Sequence, residues 1–137
     1  MSNVTLRPSL TDDAAARITE AAIREARRLG VPQVVAVVDD SGILKSFRRM
    51  DGSPVASVTA AQHKAFTALL GVGSGDLFDA VRDSDALRST LPNLPRMALI
   101  AGGLPVVVDG ALVGAIGVGG GTLDQDLACA LAGLEGL

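Results

Sequence analysis

Lys64 is the side chain least in keeping with its neighbours. Residues 57–70 read Ser-Val-Thr-Ala-Ala-Gln-His-Lys-Ala-Phe-Thr-Ala-Leu-Leu, and at helical spacing Ser57, Ala60, Ala61, Lys64, Thr67 and Ala68 form a face of small side chains with one lysine in it. Small residues at that spacing let another backbone, or a flat ligand, come close. A lysine in such a face snorkels or pairs with an acid, here Asp51 or Asp126. Alternatively it contacts an anion, or serves as a base if desolvated. His63 is the only histidine, the one side chain whose unperturbed charge change falls near neutral pH, so it can act in acid–base chemistry or ligate a metal. It adjoins Lys64 in sequence but not on the same helix face, since successive helical residues are ~100° apart. Arg49, just before Met50-Asp51-Gly52, offers a second positive group. Ser57, His63 and Asp51 are the residue types of a nucleophilic triad, although their spacing does not establish one.

The second chemical stretch is Gly119-Gly120-Gly121-Thr122-Leu123-Asp124-Gln125-Asp126. Thr-x-x-Gln is a capping box, in which Thr122 accepts from the Gln125 amide and the Gln125 side chain accepts from the Thr122 amide. The glycines either fill a tight strand-to-helix corner or form a loop whose amides receive an anion. The spacing is not that of a dinucleotide fingerprint, and no Gly-Lys-Ser/Thr follows. No Cys-x-x-Cys or His-x-x-x-His pattern offers a protein metal site. The single cysteine, Cys129, excludes an intramolecular disulfide and reads as a small core residue of the last helix.

These residues need a frame. Thr11-Asp12-Asp13 begins a helix, with Ala14, Ile18, Ala22 and Ala26 on its buried face, a Glu20–Arg24 pair on its outer face and Gly30 after its end. Val34–Val38 and Ile43–Arg49 form a hairpin about Asp39-Asp40-Ser41-Gly42, and 57–70 is the small-faced helix. Asp76–Leu87 reads as a weaker helix, Thr90–Pro95 as irregular and Arg96–Ile100 as a short strand. Two apolar runs about Asp109-Gly110 form a hairpin that leads into the glycine loop and the final helix. Residues 1–10 read as an arm with an edge strand at Asn3–Arg7. Adjacent strands joined by short turns imply an antiparallel sheet, and the helix placement makes the class α+β, with 1–137 as a single domain.

Net charge is −3, from 12 basic and 15 acidic residues, and there is no Trp or Tyr. Without a basic, aromatic-studded surface, nucleic acid is not expected as a partner. No apolar run reaches the ~20 residues of a membrane span and no signal pattern opens the chain, so no membrane association and a cytoplasmic location are expected. A core of Val, Leu, Ile and Ala, with apolar surface left over, favours assembly with copies of itself.

Several motifs in order resemble the GlcG/HbpS family, which includes the C-terminal domain of PduO-type proteins. They are Arg49-Met50-Asp51-Gly52, Ser57, Lys64-Ala65-x-Thr67-Ala68, Gly102-Gly103-x-Pro105, Asp109-Gly110-x-x-Val113-Gly114-Ala115-Ile116-Gly117-Val118 and Gly121-Thr122-x-x-Gln125-Asp126. The resemblance runs from about Ala14 to Leu131. It implies a five-stranded antiparallel sheet flanked by helices, similar to profilin-like sensor domains, and homo-oligomers from dimer to octamer. Some members bind haem, and others are linked to haem degradation, iron binding or redox sensing. Many members carry Ser where this chain has Gly119. Haem is thus the implied cofactor, with His63 as its iron ligand and Arg49, Ser57, Lys64, Gly119, Gly120, Gly121, Thr122 and Asp126 around the ligand. Two further readings stand beside small-molecule binding. One is a cofactor-free lyase, isomerase or cyclase with Lys64 or His63 as base and Asp51 or Asp126 as acid or orienter. The other is a structural homo-oligomeric partner protein.

Overall fold

The computed structural model describes residues Met1–Leu137. In chain order the elements are α1 (Asp12–Leu29), β1 (Val34–Asp39), β2 (Leu44–Arg49), α2 (Ser57–Ala68), α3 (Ser74–Val81), α4 (Asp85–Thr90), a short 3-10 turn (Leu91–Asn93), β3 (Gly103–Val108), β4 (Ala111–Gly119) and α5 (Leu123–Leu134). The strands form one antiparallel sheet in the order β2-β1-β4-β3. The fold is α+β, as the sequence implies.

Alternation along the strands divides the core. Val35, Val37, Ile116 and Val118 point to α1 and α5 and pack with Ile18, Ile23, Cys129 and Ala130. Val34, Ala36, Val38 and Ala115 point to the other face, where Ala61, Ala65 and Ala68 of α2 cover them. Gly117 lies directly under α2, where an added Cβ would run into the Ala61 carbonyl and the Ala65 amide. The small face of α2 therefore receives a backbone, that of the central strands. Local signals set the ends of the elements. Thr11 accepts from the Ala14 amide at 3.2 Å and Gly30 closes α1 in the left-handed conformation. Asp109 and Gly110, both at positive φ, make the β3–β4 turn.

The sheet has four strands, not five. Asn3–Arg7 lies exposed without a ladder, and Arg96–Ile100 is irregular. Arg96 takes a left-handed φ of 66° after Pro95, which breaks an extended run there. The Ala98 amide donates instead to Thr67 Oγ1 on α2, at 2.8 Å. The helix read at Asp76–Leu87 is two helices, because Ser84 caps a new one by accepting from the Leu87 amide. Glu20 pairs with Arg48 of β2 rather than with Arg24, a cross-element contact that helical spacing does not reveal. No helix is long and apolar enough to cross a membrane.

Candidate functional site

The end of the sheet where β1 begins, β4 finishes and α2 starts gathers most of the candidate residues. Across the strands Arg49 stands opposite Val34, and Val34 opposite Gly119. Directly opposed residues of an antiparallel sheet share a face, and adjacent strands are ~4.8 Å apart, so Arg49 lies roughly 10 Å from Gly119 on the α2 side. Ser57, 7% exposed, heads α2. Its Cβ is 3.5 Å from where a side chain on Gly119 would begin. Arg49 itself is exposed.

Lys64 is buried and joined to the loop. Its Nζ donates to Asp126 Oδ2 at 2.7 Å and to the Val118 carbonyl at 2.9 Å, and the two side chains are 2% and 3% exposed. The other oxygen, Asp126 Oδ1, accepts from the Gly121 amide at 2.9 Å. The position explains itself locally, since Gly102 has a φ of 124° and a Cβ there would stand 2.9 Å from Nζ. The lysine thus bridges α2, β4 and the first turn of α5, and the pairing with Asp126 is one of the two the sequence offers. Such a pair costs desolvation, which its geometry and the additional hydrogen bonds offset.

The capping box is complete. Gln125 N donates to Thr122 Oγ1 at 3.2 Å and Thr122 N donates to Gln125 Oε1 at 2.9 Å. Replacing such a cap by Ala typically costs ~1 kcal/mol. Thr122 is exposed, while Gly120 and Gly121 are half-buried. Gly120 sits at a φ of 129°, where a Cβ would come within 2.8 Å of the Pro32 carbonyl and 2.9 Å of Gln33 Oε1. At this corner glycine is therefore required by close packing at Gly120, whereas a side chain on Gly119 would make ordinary contacts.

Two candidates stand apart. His63 is half-buried on the side of α2 turned away from the sheet, and its ring makes no hydrogen bond within the chain. Its carbonyl accepts from Thr67 Oγ1 at 2.8 Å. Asp51 is exposed in the turn before Gly52 and forms no ion pair. Ser57, His63 and Asp51 accordingly make no hydrogen-bonded chain. No three His, Cys, Asp or Glu side chains converge as metal ligands. Burial pushes the Cys129 thiol above its ordinary value, and the neighbouring Gln33 amide opposes this only in part.

Two residues escaped the sequence reading. Gln33 is fully buried beneath the glycine loop; its Nε2 lies 3.8 Å from Cys129 Sγ and its Oε1 has no partner. Its one sequence signal is a polar residue directly before an unbroken apolar strand. Ser74 accepts from the Gly103 amide at 2.8 Å and donates to the Ile100 carbonyl, fixing the Gly102-Gly103 segment that makes room for Lys64. The hollows lie elsewhere. A crevice of about 570 Å³ runs between Leu10, Ala14, Val108, Val113 and Leu137. A cleft of about 420 Å³ opens between Phe78, Leu99, Ile100, Leu123 and Leu127. Neither is lined by Arg49, Ser57, Lys64 or the glycine loop.

Comparison with known proteins places this architecture. The family model described as "Haem degrading protein HbpS-like" matches residues 10–135. An uncharacterized 15.0 kDa protein from the dhaT-dhaS intergenic region of Citrobacter freundii is 36% identical over 129 residues, which cover 93% of this chain and 91% of that one. The crystal structure of HbpS superposes with a TM-score of 0.91 at 34% identity, covering 98% of this chain and 94% of the other. That of the PduOC:Heme complex does so with a TM-score of 0.88 at 30% identity, covering 94% and 95%. With its ordered motifs, its α+β architecture and these matches over nearly its whole length, the chain belongs to the GlcG/HbpS family.

Proposed function

We propose that this protein binds a small ligand, haem foremost, on the α2 side of the sheet. The observation that carries the reading is the free imidazole of His63. It is the only histidine, half-buried, and no group of the chain occupies its ring nitrogens. Apart from Met1, which is fully exposed, the other soft donors are engaged or enclosed. Met50 Sδ accepts from the Gln33 amide at 3.3 Å, Met97 Sδ lies 3.9 Å from Thr67 Oγ1, and Cys129 is fully buried. His63 is thus the residue that fits a haem iron, and a nitrogen ligand there would set its redox and ligand-exchange chemistry. The related PduOC structure, a haem complex, supports the same reading.

In this proposal Arg49 supplies an unpaired, exposed cation for a carboxylate. Ser57, Gly119, Gly120, Gly121 and Thr122 lie around the head of α2, on the side that His63 turns away from, and would meet only a ligand that reaches round that end of the helix. Lys64 and Asp126 act one step behind these residues, holding Gly121 and the end of β4 in place. A reaction with Lys64 or His63 as base and Asp51 as acid has no comparable support. The Lys64 ammonium is already bonded to Asp126 and Val118, and Asp51 stands apart.

The test is a haem titration of the chelator-treated protein, read by absorbance. Saturable binding of one haem per chain with a shifted Soret band is expected, lost in His63→Ala and weakened in Arg49→Ala. A flat titration, or one that His63→Ala leaves unchanged, would overturn the proposal and direct attention to small anionic metabolites.

A further inference from the structure

We propose that the N-terminal arm, Asn3–Arg7, adds as an extra strand to the outer edge of β2 in a second copy of this chain. The arm has the alternation of a half-buried strand. Val4 and Leu6 fall on one face, and Asn3, Thr5 and Arg7 on the other. Yet Val4 is 72% exposed and Leu6 97% exposed. From Thr5 to Ser9 no backbone group bonds to the rest of the chain; the first that does is the Leu10 amide, which donates to the Val113 carbonyl at 3.0 Å. The arm therefore has the pattern of a sheet strand without a sheet.

Two edges are available to receive it, β2 and β3. Pro105 interrupts β3 and removes one donor from that ladder. β2 has no proline. It also lies beyond the cover of α2. Phe47 stands opposite Ala36, whose side chain packs under Ala61 of α2, yet Phe47 itself is 38% exposed. An added strand with Val4 and Leu6 on that face covers Phe47 while satisfying the open edge.

Charge selects the arm over a second β2. Lys45 and Arg49 on both sides would oppose direct pairing of β2 with its copy. The arm's only charged side chain, Arg7, is already bonded to Asp40 at 3.2 Å. That contact also anchors the arm beside the turn leading into β2, at the sheet end from which a reciprocal exchange between two copies can start.

The experiment measures the mass of the full chain in solution by light scattering, alone and as Val4→Asp/Leu6→Asp and Phe47→Asp. The full chain is expected to be a dimer or larger. Both variants should at least halve the mass while leaving the far-UV circular dichroism unchanged. Amide exchange at residues 4–7 should be slow in concentrated full chain and fast on dilution. A monomeric full chain, masses unchanged in either variant, or protection of the arm that persists at any concentration would overturn the proposal. The last result would place the arm on its own sheet.

Discussion

Replacing Lys64 with Met removes one charge from a place where neither partner meets water. Lys64 and Asp126 are 2% and 3% exposed and 2.7 Å apart. Methionine retains much of the lysine stem, so the change isolates the ammonium. It leaves the Asp126 carboxylate with the Gly121 amide alone, and the Val118 carbonyl without the Nζ donor. Breaking one side of a buried pair costs ~3–5 kcal/mol. With an unfolding entropy of about 2.1 cal/mol/K per residue over this chain, Tm should fall by roughly 10–17 °C. Asp126→Asn alone strands the lysine and should cost a similar amount. The double variant holds no buried charge, while the Asn oxygen can still accept from Gly121, so it should be more stable than either single variant, with a coupling of roughly 2 kcal/mol. The assay is urea unfolding followed by far-UV circular dichroism, since a chain without Trp or Tyr gives no useful intrinsic fluorescence. Protein concentration must be fixed, because assembly shifts apparent stability. A Lys64→Met cost below ~1 kcal/mol, the range of exposed pairs, would refute the reasoning. So would strictly additive single variants.

Two further predictions follow from burial and close approach. Gly117→Ala places a methyl group against the α2 backbone at Ala61, so its cost should reach or exceed the ~3 kcal/mol upper end of ordinary overpacking; Gly110→Ala, with open space around it and a φ of 79°, should cost only the ~1–2 kcal/mol of a left-handed backbone. Urea midpoints of the two variants measured side by side check the contrast. For Cys129, burial raises the folded-state thiol value, so above the ordinary thiol value of ~8.5 the unfolded chain has lost a proton that the folded chain keeps. Stability should therefore fall as pH rises through that value, and Cys129→Ala should flatten the slope; an unchanged slope would contradict it.

The chain's local grammar was legible wherever one short segment decides the structure. Thr11, Gly30, Asp109-Gly110 and Thr122–Gln125 act through their own neighbours, and the caps and turns they signal are present. The β1 run, too apolar to face water on either side, lies in the middle of the sheet. What failed were contacts that compete across distance. The Arg96–Ile100 run loses its strand to a bond with Thr67, and Glu20 prefers Arg48 of another element to a helical neighbour. The strand-like alternation of Asn3–Arg7 is real, but no edge of its own sheet takes it.

The candidate site divides in the same way. The sequence by itself determined that an unusual lysine sits in a small-residue face, that glycines precede a capped helix, and that ordered motifs resemble one family, because each depends on residue type and spacing alone. Only the tertiary structure decided that Lys64 pairs with Asp126 rather than Asp51, that Gln33 lies beneath the loop, and that His63 turns away from both. Those outcomes depend on how α2 is set over β4 and α5. That placement comes from packing Ala61 and Ala65 against Gly117, a contact between segments far apart in the chain.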